Sequence, residues 1–208
     1  MIDSFIHAAL AQQALSHQGR AAARAVVLGD GSRALVRPLH AGDAHLVADV
    51  FDQLSDESRW MQFLAAKKEL SAAELRYLTD IDHHDHEALA ALDHAAGRGA
   101  GVARFIRHTA DPRAAELSVT VVDAWQGRGL GTELLTQLSA RARQEGVERF
   151  TAVASADNVA VARLLRAVSA RVVSHEYDTV EYEIDLAHAR ARALASAREP
   201  ERLSPSGR

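Results

Sequence analysis

The sequence predicts a single α+β domain: a mixed, mostly antiparallel central sheet flanked by helices. The chain has 208 residues, the length of one ordinary domain, and 48% of them are hydrophobic, enough for a substantial core. Strand-like segments occur as a hairpin, a meander and a closing pair, with helices between these groups. This order differs from the regular strand–helix alternation of a doubly wound parallel sheet.

The first half of the domain begins with a hairpin. In residues 25–39, AVVLGDGSRALVRPL, two apolar runs flank a Gly-Asp-Gly-Ser turn. Three helices follow. The first opens at positions 42–43 and carries an apolar stripe, the second opens at Ser55, and the third has a capping box made of Ser71 and Glu74.

The second half contains the meander. ALAALD, GVARFIRH and AELSVTVVD are predicted strands, and a helix with inward-facing leucines follows the third of them. The strand FTAVAS, a helix that begins at Asn158 and two closing strands complete a domain that we predict to span residues 25–186. Residues 1–24 are expected to form a helical extension, and residues 187–208 a tail that passes from helix to disorder.

The composition excludes several classes of site and partner. The sequence has no cysteine, so disulfides, cysteine nucleophiles and cysteine–metal sites are ruled out. The lack of cysteine suits a reducing cytoplasm, where we expect the protein to act. A net charge of −4 argues against nucleic-acid binding. No membrane association is expected, because no apolar run approaches the roughly 20 residues that span a bilayer.

Three glycines in five positions mark the candidate site. Gly127, Gly129 and Gly131 follow a predicted strand and precede a helix. A helix N-terminus leaves about four amide N–H groups without partners and carries roughly half a positive charge. Residues without side chains let a diphosphate approach these amides, and Arg128 adds a charge at the rim. A plain strand-to-helix turn needs only one glycine, so we favour phosphate binding.

The glycine spacing is a weak match to two common phosphate-binding loops. A Walker A loop requires a Lys-Ser or Lys-Thr pair, and none follows here. A dinucleotide-binding loop requires G-x-G-x-x-G at the start of a βαβ unit, whereas these glycines alternate as G-x-G-x-G after a meander strand.

The segment from Gln126 to Thr132, QGRGLGT, resembles the acyl-CoA loop Q/R-x-x-G-x-G/A of the GNAT acetyltransferase superfamily. The strand before it and the Asp157-Asn158 pair that opens a later helix fit the same pattern. Within the superfamily, LSDESRWMQF, ELSAAELRYLTDID, GVARF, AELSVTVVDAWQGRGLG and DNVAVARLL resemble the catalytic domain of bacterial Pat-type protein-lysine acetyltransferases.

The resemblance implies how acetyl-CoA would be held. Backbone groups of Val119 and Val121 would pair with the pantetheine arm, as an added strand does. The amides of the glycine segment would hold the pyrophosphate, and Asn158 would contact the cofactor near its thiol. No metal is expected. The predicted cofactor-binding residues are Val119, Val121, Gln126, Gly127, Arg128, Gly129, Leu130, Gly131, Thr132 and Asn158.

The acceptor amine would attack the thioester directly, and this attack requires a base. A lysine amine has a pKa near 10.4, so at pH 7 about one in 2,500 is neutral, a gap of roughly 4.6 kcal/mol that a positioned carboxylate can relieve. In AELSVTVVD, Glu116 shares the polar strand face with Ser118 and Thr120, which suggests a wet cleft. A surface glutamate would show the same alternation, but the resemblance implies a catalytic glutamate here, so Glu116 is the predicted general base.

Two positions depart from the superfamily pattern. The tyrosine that many members use to reprotonate the leaving thiolate corresponds to Leu165, and the usual Gly-Phe after this helix is Ser169-Ala170. The general acid is therefore absent, or water or another residue replaces it. A thiolate with a pKa near 8.5 can also leave unprotonated.

The polar segment DIDHHDHE, residues 80–87, is interpreted as a solvated loop at the mouth of the acceptor site. Its carboxylates would attract a cationic acceptor. In an extended conformation, Asp82, His84 and His86 would share one face and could bind zinc, which is the less favoured alternative.

The sequence therefore predicts an enzyme that moves an acetyl group from acetyl-CoA to a primary amine, with protein lysine as the favoured acceptor. A small-amine acetyltransferase, acting on a polyamine, amino acid or aminoglycoside, is one alternative. A non-catalytic acyl-CoA-binding sensor is another.

The helices before the meander shape the acceptor site in this superfamily, and there we expect Trp60 and Phe63, an i, i+3 pair, to pack in the core. The oligomeric state is open and includes a homodimer.

Overall fold

The computed structural model describes residues 23–187. Almost all of the predicted N-terminal extension and tail lies outside this range, and both stay predictions. Eight strands form one sheet: β1 (Arg24–Val27), β2 (Arg33–Pro38), β3 (His86–Asp93), β4 (Gly99–Arg107), β5 (Ala114–Val121), β6 (Arg149–Ser155), β7 (Arg171–Glu176) and β8 (Thr179–Asp185). Five complete α-helices lie within the same range: α1 (Ala44–Asp52), α2 (Asp56–Phe63), α3 (Ala72–Thr79), α4 (Leu130–Gln144) and α5 (Val159–Ala167). None of them has both the length and the apolar character to cross a bilayer.

The strands follow the order β1-β2-β3-β4-β5-β6-β8-β7. Every neighbouring pair is antiparallel except β5 and β6, which run parallel. The predicted α+β class with a mostly antiparallel sheet is thus confirmed. The parallel pairing is short: residues 114–116 of β5 face residues 149–151 of β6, and the two strands then separate. Their separation opens a gap in the middle of the sheet.

Helices cover both faces of the sheet. On one face, α4 buries its inward leucines against Phe105 and Phe150 in the largest core cluster, as the sequence predicts. On the other face, α1 and α3 cover Ala88 and Ala90 of β3. Strand β5 alternates between the two sides: Leu117 is buried under α4, whereas its even-numbered residues face the helices before the meander.

Side-chain caps explain where several helices begin. Ser55 at α2 and Asn158 at α5 each accept a hydrogen bond from a backbone N–H three residues further on. Ser71 and Glu74 form the predicted capping box at α3. Each cap satisfies an amide that the helix itself leaves without a partner. By contrast, α4 begins after Gly129, which has no side chain to cap it, so its first amides keep no side-chain partner.

Two expectations about individual side chains are wrong. Trp60 is 49% exposed on α2, whereas Phe63 packs on Phe51 with ring centroids 5.7 Å apart. Helix α2 has no fully buried residue, and only one ring of the i, i+3 aromatic pair packs against the core. Glu87, expected in a solvated loop, lies within β3 and is 1% exposed, because its carboxylate pairs with two cationic side chains, His83 and Arg141.

Candidate functional site

A cleft of about 770 Å³ opens between β5, the loop before α4, α2 and α5. Two of the ten predicted cofactor-binding residues do not line it. Leu130 is buried at the start of α4. Arg128 lies over the ring of Trp125 and pairs with Asp30 of the β1–β2 turn, Nη1 to Oδ2 3.5 Å. The structure brings the other eight together at the cleft: Val119, Val121, Gln126, Gly127, Gly129, Gly131, Thr132 and Asn158.

One backbone edge of β5 faces the gap. The N–H of Val122 donates to the carbonyl of Ala100, which follows the register of the β4–β5 pairing. Hydrogen-bonded and non-hydrogen-bonded residues alternate in an antiparallel pair, so the backbone groups of Val119 and Val121 point away from β4. Within residues 23–187, no strand pairs with β5 on that side beyond Glu116. An extended amide-bearing chain could therefore add to this edge as a strand does.

The backbone conformation and the surroundings differ among the three glycine positions of the loop. Gly127 and Gly129 have φ angles of +72° and +97°, a region that favours glycine. Gly131 lies within α4, where a Cβ would contact Leu164 at 3.4 Å and Val121 at 3.7 Å, both ordinary contacts. The fold alone therefore requires glycine at the first two positions but not at the third. Because Leu164 and Val121 also line the cleft, a side chain at position 131 would occupy space inside it.

A hydrogen-bonded cluster around Asp123 joins the glycine loop to α2. The carboxylate of Asp123 accepts hydrogen bonds from the backbone N–H of Ser55 (2.8 Å), from the hydroxyl of Ser58 and from Nε2 of Gln126 (2.9 Å). Burial raises the pKa of Asp123, but the hydrogen bonds from Ser58 and Ser55 outweigh it and lower the pKa below its ordinary value. Nε2 of Gln126 also donates to the carbonyl of Val121 (3.1 Å). This cluster holds two walls of the cleft together.

We expect Asp123→Ala to lower the free energy of unfolding by about 1–2 kcal/mol and to raise KM for acetyl-CoA, because several donors lose one acceptor. Urea unfolding and steady-state kinetics measure the two effects. Asp56→Ala is the matched control, since the Asp56 side chain is fully exposed and lies 3.7 Å from its ion-pair partner Arg59. Its expected change is below about 0.5 kcal/mol. Equal effects of the two substitutions would contradict the role given to the cluster.

Glu116, the predicted general base, is exposed and does not line the cleft itself. It shares one face of β5 with Ser118 and with Thr120, which does line the cleft. It also forms the last pair between β5 and β6, opposite Thr151, so it lies where the two strands separate. Nε2 of Gln62 donates to Oγ of Ser118 (2.9 Å) and marks the end of the cleft toward Glu116.

The acidic and histidine-rich segment before β3 folds as a turn. Oδ1 of Asp82 accepts hydrogen bonds from the backbone N–H groups of His84, Asp85 and His86, at 2.8, 2.8 and 2.9 Å. The extended conformation on which the zinc alternative depends is therefore not formed. Within residues 23–187, no group of three or more His, Asp or Glu side chains is placed to hold a metal ion.

Leu165, the position of the superfamily tyrosine, is 2% exposed in the core, and its neighbour Leu164 is among the residues of α5 that line the cleft. Among the described lining residues there is no tyrosine, histidine or cysteine. Sequence reasoning missed several polar lining residues. These residues come from the start and body of α2, the segment after β5, and α5, so they share the cleft only because the fold brings these elements together. They are Ser55, Glu57, Ser58, Gln62, Asp123 and Arg163.

Known proteins share this architecture. Residues 33–171 match the model of the acetyltransferase (GNAT) domain. The chain is 31% identical over 151 residues to the acetyltransferase Pat of Mycolicibacterium smegmatis, an alignment that covers 73% of this chain and 45% of that protein. It is 35% identical over 136 residues to an acetyltransferase of Pseudomonas aeruginosa, which covers 64% of this chain and 73% of that protein.

A solved structure agrees with these matches. The GNAT domain of S. lividans PAT superimposes with a TM-score of 0.74 at 33% identity, over 78% of this chain and 96% of that one. The matches confirm the predicted resemblance and the predicted enzyme class, an N-acetyltransferase that uses acetyl-CoA as its acyl donor. The chain spans less than half, 45%, of the length of the Mycolicibacterium relative. The chain belongs to the GNAT acetyltransferase family.

Proposed function

We propose that this chain transfers the acetyl group of acetyl-CoA to the side-chain amine of a protein lysine, with Glu116 as general base. The observation that carries the proposal is the gap between β5 and β6, which opens beside the uncapped N-terminus of α4. The resemblance to Pat-type protein-lysine acetyltransferases favours lysine as the acceptor.

The residues at the gap fit acetyl-CoA. The backbone of Val119 and Val121 offers amide groups to the pantetheine arm. The amides from Gly127 to Thr132 meet the positive end of the α4 dipole, which suits a diphosphate. Asn158 lines the opposite wall while its Oδ1 caps α5, so its amide nitrogen is the group available to the cofactor.

Acetyl-CoA supplies an acetyl group activated as a thioester. In the proposed step, the lysine nitrogen bonds to the acetyl carbon, the carbon–sulfur bond breaks, and Glu116 accepts the amine proton directly or through a water. With no tyrosine in the described lining, the thiolate leaves unprotonated or takes a proton from water.

Two measurements test the proposal. Titration calorimetry should detect acetyl-CoA binding, and thiol release should depend on an added lysine-containing protein. Mass spectrometry of a treated proteome should then find acetyl-lysine above the background of a reaction without enzyme. Acetylation restricted to small amines would favour the small-amine alternative, and binding without transfer to any amine would favour the sensor.

Gly131→Ala is expected to weaken acetyl-CoA binding about tenfold, equivalent to ~1.4 kcal/mol, because the added methyl group enters the cleft. It should not lower the melting temperature, since alanine is the better helix former and finds only ordinary contacts. Gly129→Ala is the matched comparison: φ of +97° should cost about 1–2 kcal/mol of stability as well. Calorimetry and thermal unfolding separate the two variants, and unchanged binding in Gly131→Ala would contradict the placement of the cofactor.

A further inference from the structure

Arg104 lies near the middle of β4, on the sheet face that carries Glu116. Its cross-strand neighbours are Ala88 of β3 and Ser118 of β5, and neither carries a negative charge. Across residues 23–187, its half-buried guanidinium makes no hydrogen bond and no ion pair. Burial lowers the pKa of Arg104 to about 10, against the opposing influence of the nearby Tyr77 and Glu116. A partly desolvated cation that has no hydrogen-bond or ion-pair partner among the described residues is costly to the fold, so a role beyond the fold is indicated.

His86 on the neighbouring strand adds a ring nitrogen, Nε2, that has no hydrogen-bond partner among the described residues. It faces Ile106 of β4, so it lies diagonal to Arg104 on the same face. Its Nδ1 lies 3.1 Å from the carbonyl oxygen of Asp80, and this hydrogen bond requires the proton to be on Nδ1. The other ring nitrogen, Nε2, is buried and has no hydrogen-bond partner in the described chain. In the neutral ring, Nε2 is therefore an unused acceptor.

The edge of this sheet face at Glu116 and Tyr77 is open to solvent and adjoins the cleft. Glu116 is exposed, and Tyr77, whose ring lies 6.0 Å from the ring of His86, is 60% exposed. Ser118 lies opposite Arg104, and its Oγ accepts a hydrogen bond from Gln62 at the end of the cleft. A solute that enters from this side would reach Glu116 next to the end of the cleft.

We propose that Arg104, Glu116 and His86 form an acceptor subsite for an amine that also carries a carboxylate. Arg104 would bind the carboxylate through charge-assisted hydrogen bonds and Glu116 would receive the amine, while His86, whose Nε2 is buried beside them, would form a wall of the subsite. The inference rests on the proposed acetyl transfer to an amine. A free amino acid and a lysine beside an acidic residue both present this chemistry.

The subsite also separates the acceptor classes that the sequence left open. A polyamine or an aminoglycoside carries several cations and no anion, so a second cation would meet the like charge of Arg104. An acceptor with one amine and one nearby carboxylate complements both charges of the face.

Matched acceptors test the inference. Lysine and lysinamide carry the same side-chain amine and differ in the carboxylate, and Lys-Asp and Lys-Asn peptides differ in the same way. In Arg104→Met, KM for the carboxylate-bearing acceptor should rise about 10- to 100-fold, while KM for its amide analogue and for acetyl-CoA stays unchanged. The melting temperature should not fall, because the side chain loses a charge that has no partner. Discrimination within the free pair or within the peptide pair identifies the source of the carboxylate.

Equal increases in KM for both members of a pair would overturn the inference, because Arg104 would then act only on Glu116. A lower melting temperature with equal loss of both activities would also overturn it. Binding of two analogues without a free side-chain amine, norleucine and the Nε-acetylated Lys-Asp peptide, is measured with coenzyme A, which has no acetyl group to transfer, so the readout involves no turnover: wild type should bind at least one of them, and Arg104→Met should not. If wild type acetylates no amine, the proposed function fails, while this binding result still decides the carboxylate subsite.

Discussion

Glu116→Gln is expected to lower kcat for amine acetylation by about 100- to 10,000-fold at pH 7, while the Kd for acetyl-CoA stays unchanged. The amide keeps the size of the side chain but cannot accept the amine proton. Glu116 lies where β5 and β6 separate, outside the lining of the cleft, so the substitution leaves the donor site intact. Stopped-flow or steady-state kinetics of thiol release measure kcat, and calorimetry measures the Kd for acetyl-CoA.

The pH profile makes this test specific. Without a base, the rate depends on the neutral fraction of the amine, so activity of the variant should rise with pH toward the ordinary lysine pKa near 10.4. Glu57→Gln is the matched control, because Glu57 is a carboxylate that lines the cleft from α2. It should retain near-normal kcat. Full turnover of Glu116→Gln at every pH would remove Glu116 from the mechanism, and a selective loss in Glu57→Gln would transfer the role to Glu57.

Glu87→Gln is expected to lower the free energy of unfolding by about 3 kcal/mol at pH 6, measured by urea unfolding. Glu87 is 1% exposed, and its carboxylate meets Nδ1 of His83 at 2.8 Å and Nε of Arg141 at 3.1 Å. Removal of the charge leaves both cations without their buried partner. Glu145→Gln is the control: Glu145 also pairs with Arg141, at 3.1 Å, but on the more exposed side, so its loss should cost less than about 1 kcal/mol.

The stability difference between wild type and Glu87→Gln should depend on pH in a defined direction. Burial raises the pKa of Glu87, but His83 and Arg141 outweigh it and hold the pKa below its ordinary 4.5, so this contribution is lost as the pH falls through the lowered pKa. The hydrogen bond to Glu87 raises the pKa of His83 above 6.5, so its contribution is complete below 6.5 and lost as the pH rises through the raised pKa. The difference should therefore be largest between about pH 4.5 and 6.5. A difference that does not change from pH 4 to pH 9 would contradict this assignment.

Features set by neighbours in the sequence could be predicted from the sequence. The capping box at α3 depends on two side chains three residues apart, and the inward leucines of α4 follow the helical period. The alternation of β5 likewise separates Glu116 from the buried Leu117. The loop before α4 was identifiable because three close glycines are more than a turn requires.

Features set by distant parts of the chain could not be predicted. Glu87 is buried because Arg141, 54 positions away, reaches its carboxylate. The position of Arg104 beside Glu116 depends on the register between β4 and β5, which the intervening turn determines. Trp60 is exposed because α2 packs against the rest of the domain through few side chains. An i, i+3 spacing does not show how much of a helix the rest of the fold will cover.

The separation of β5 and β6 also divides the sheet mechanically. Three residue pairs, 114–116 with 149–151, link a five-stranded part to a three-stranded part, and the N–H groups of Glu148 and Arg149 extend this link by donating to the carbonyl of Arg113. Past this link, a strand in the centre of the sheet has amides as unprotected as those of an outer strand. A pantetheine arm bound along β5 would add backbone-like hydrogen bonds between the two parts of the sheet. Binding of acetyl-CoA would therefore stabilise the sheet as well as supply the acetyl group.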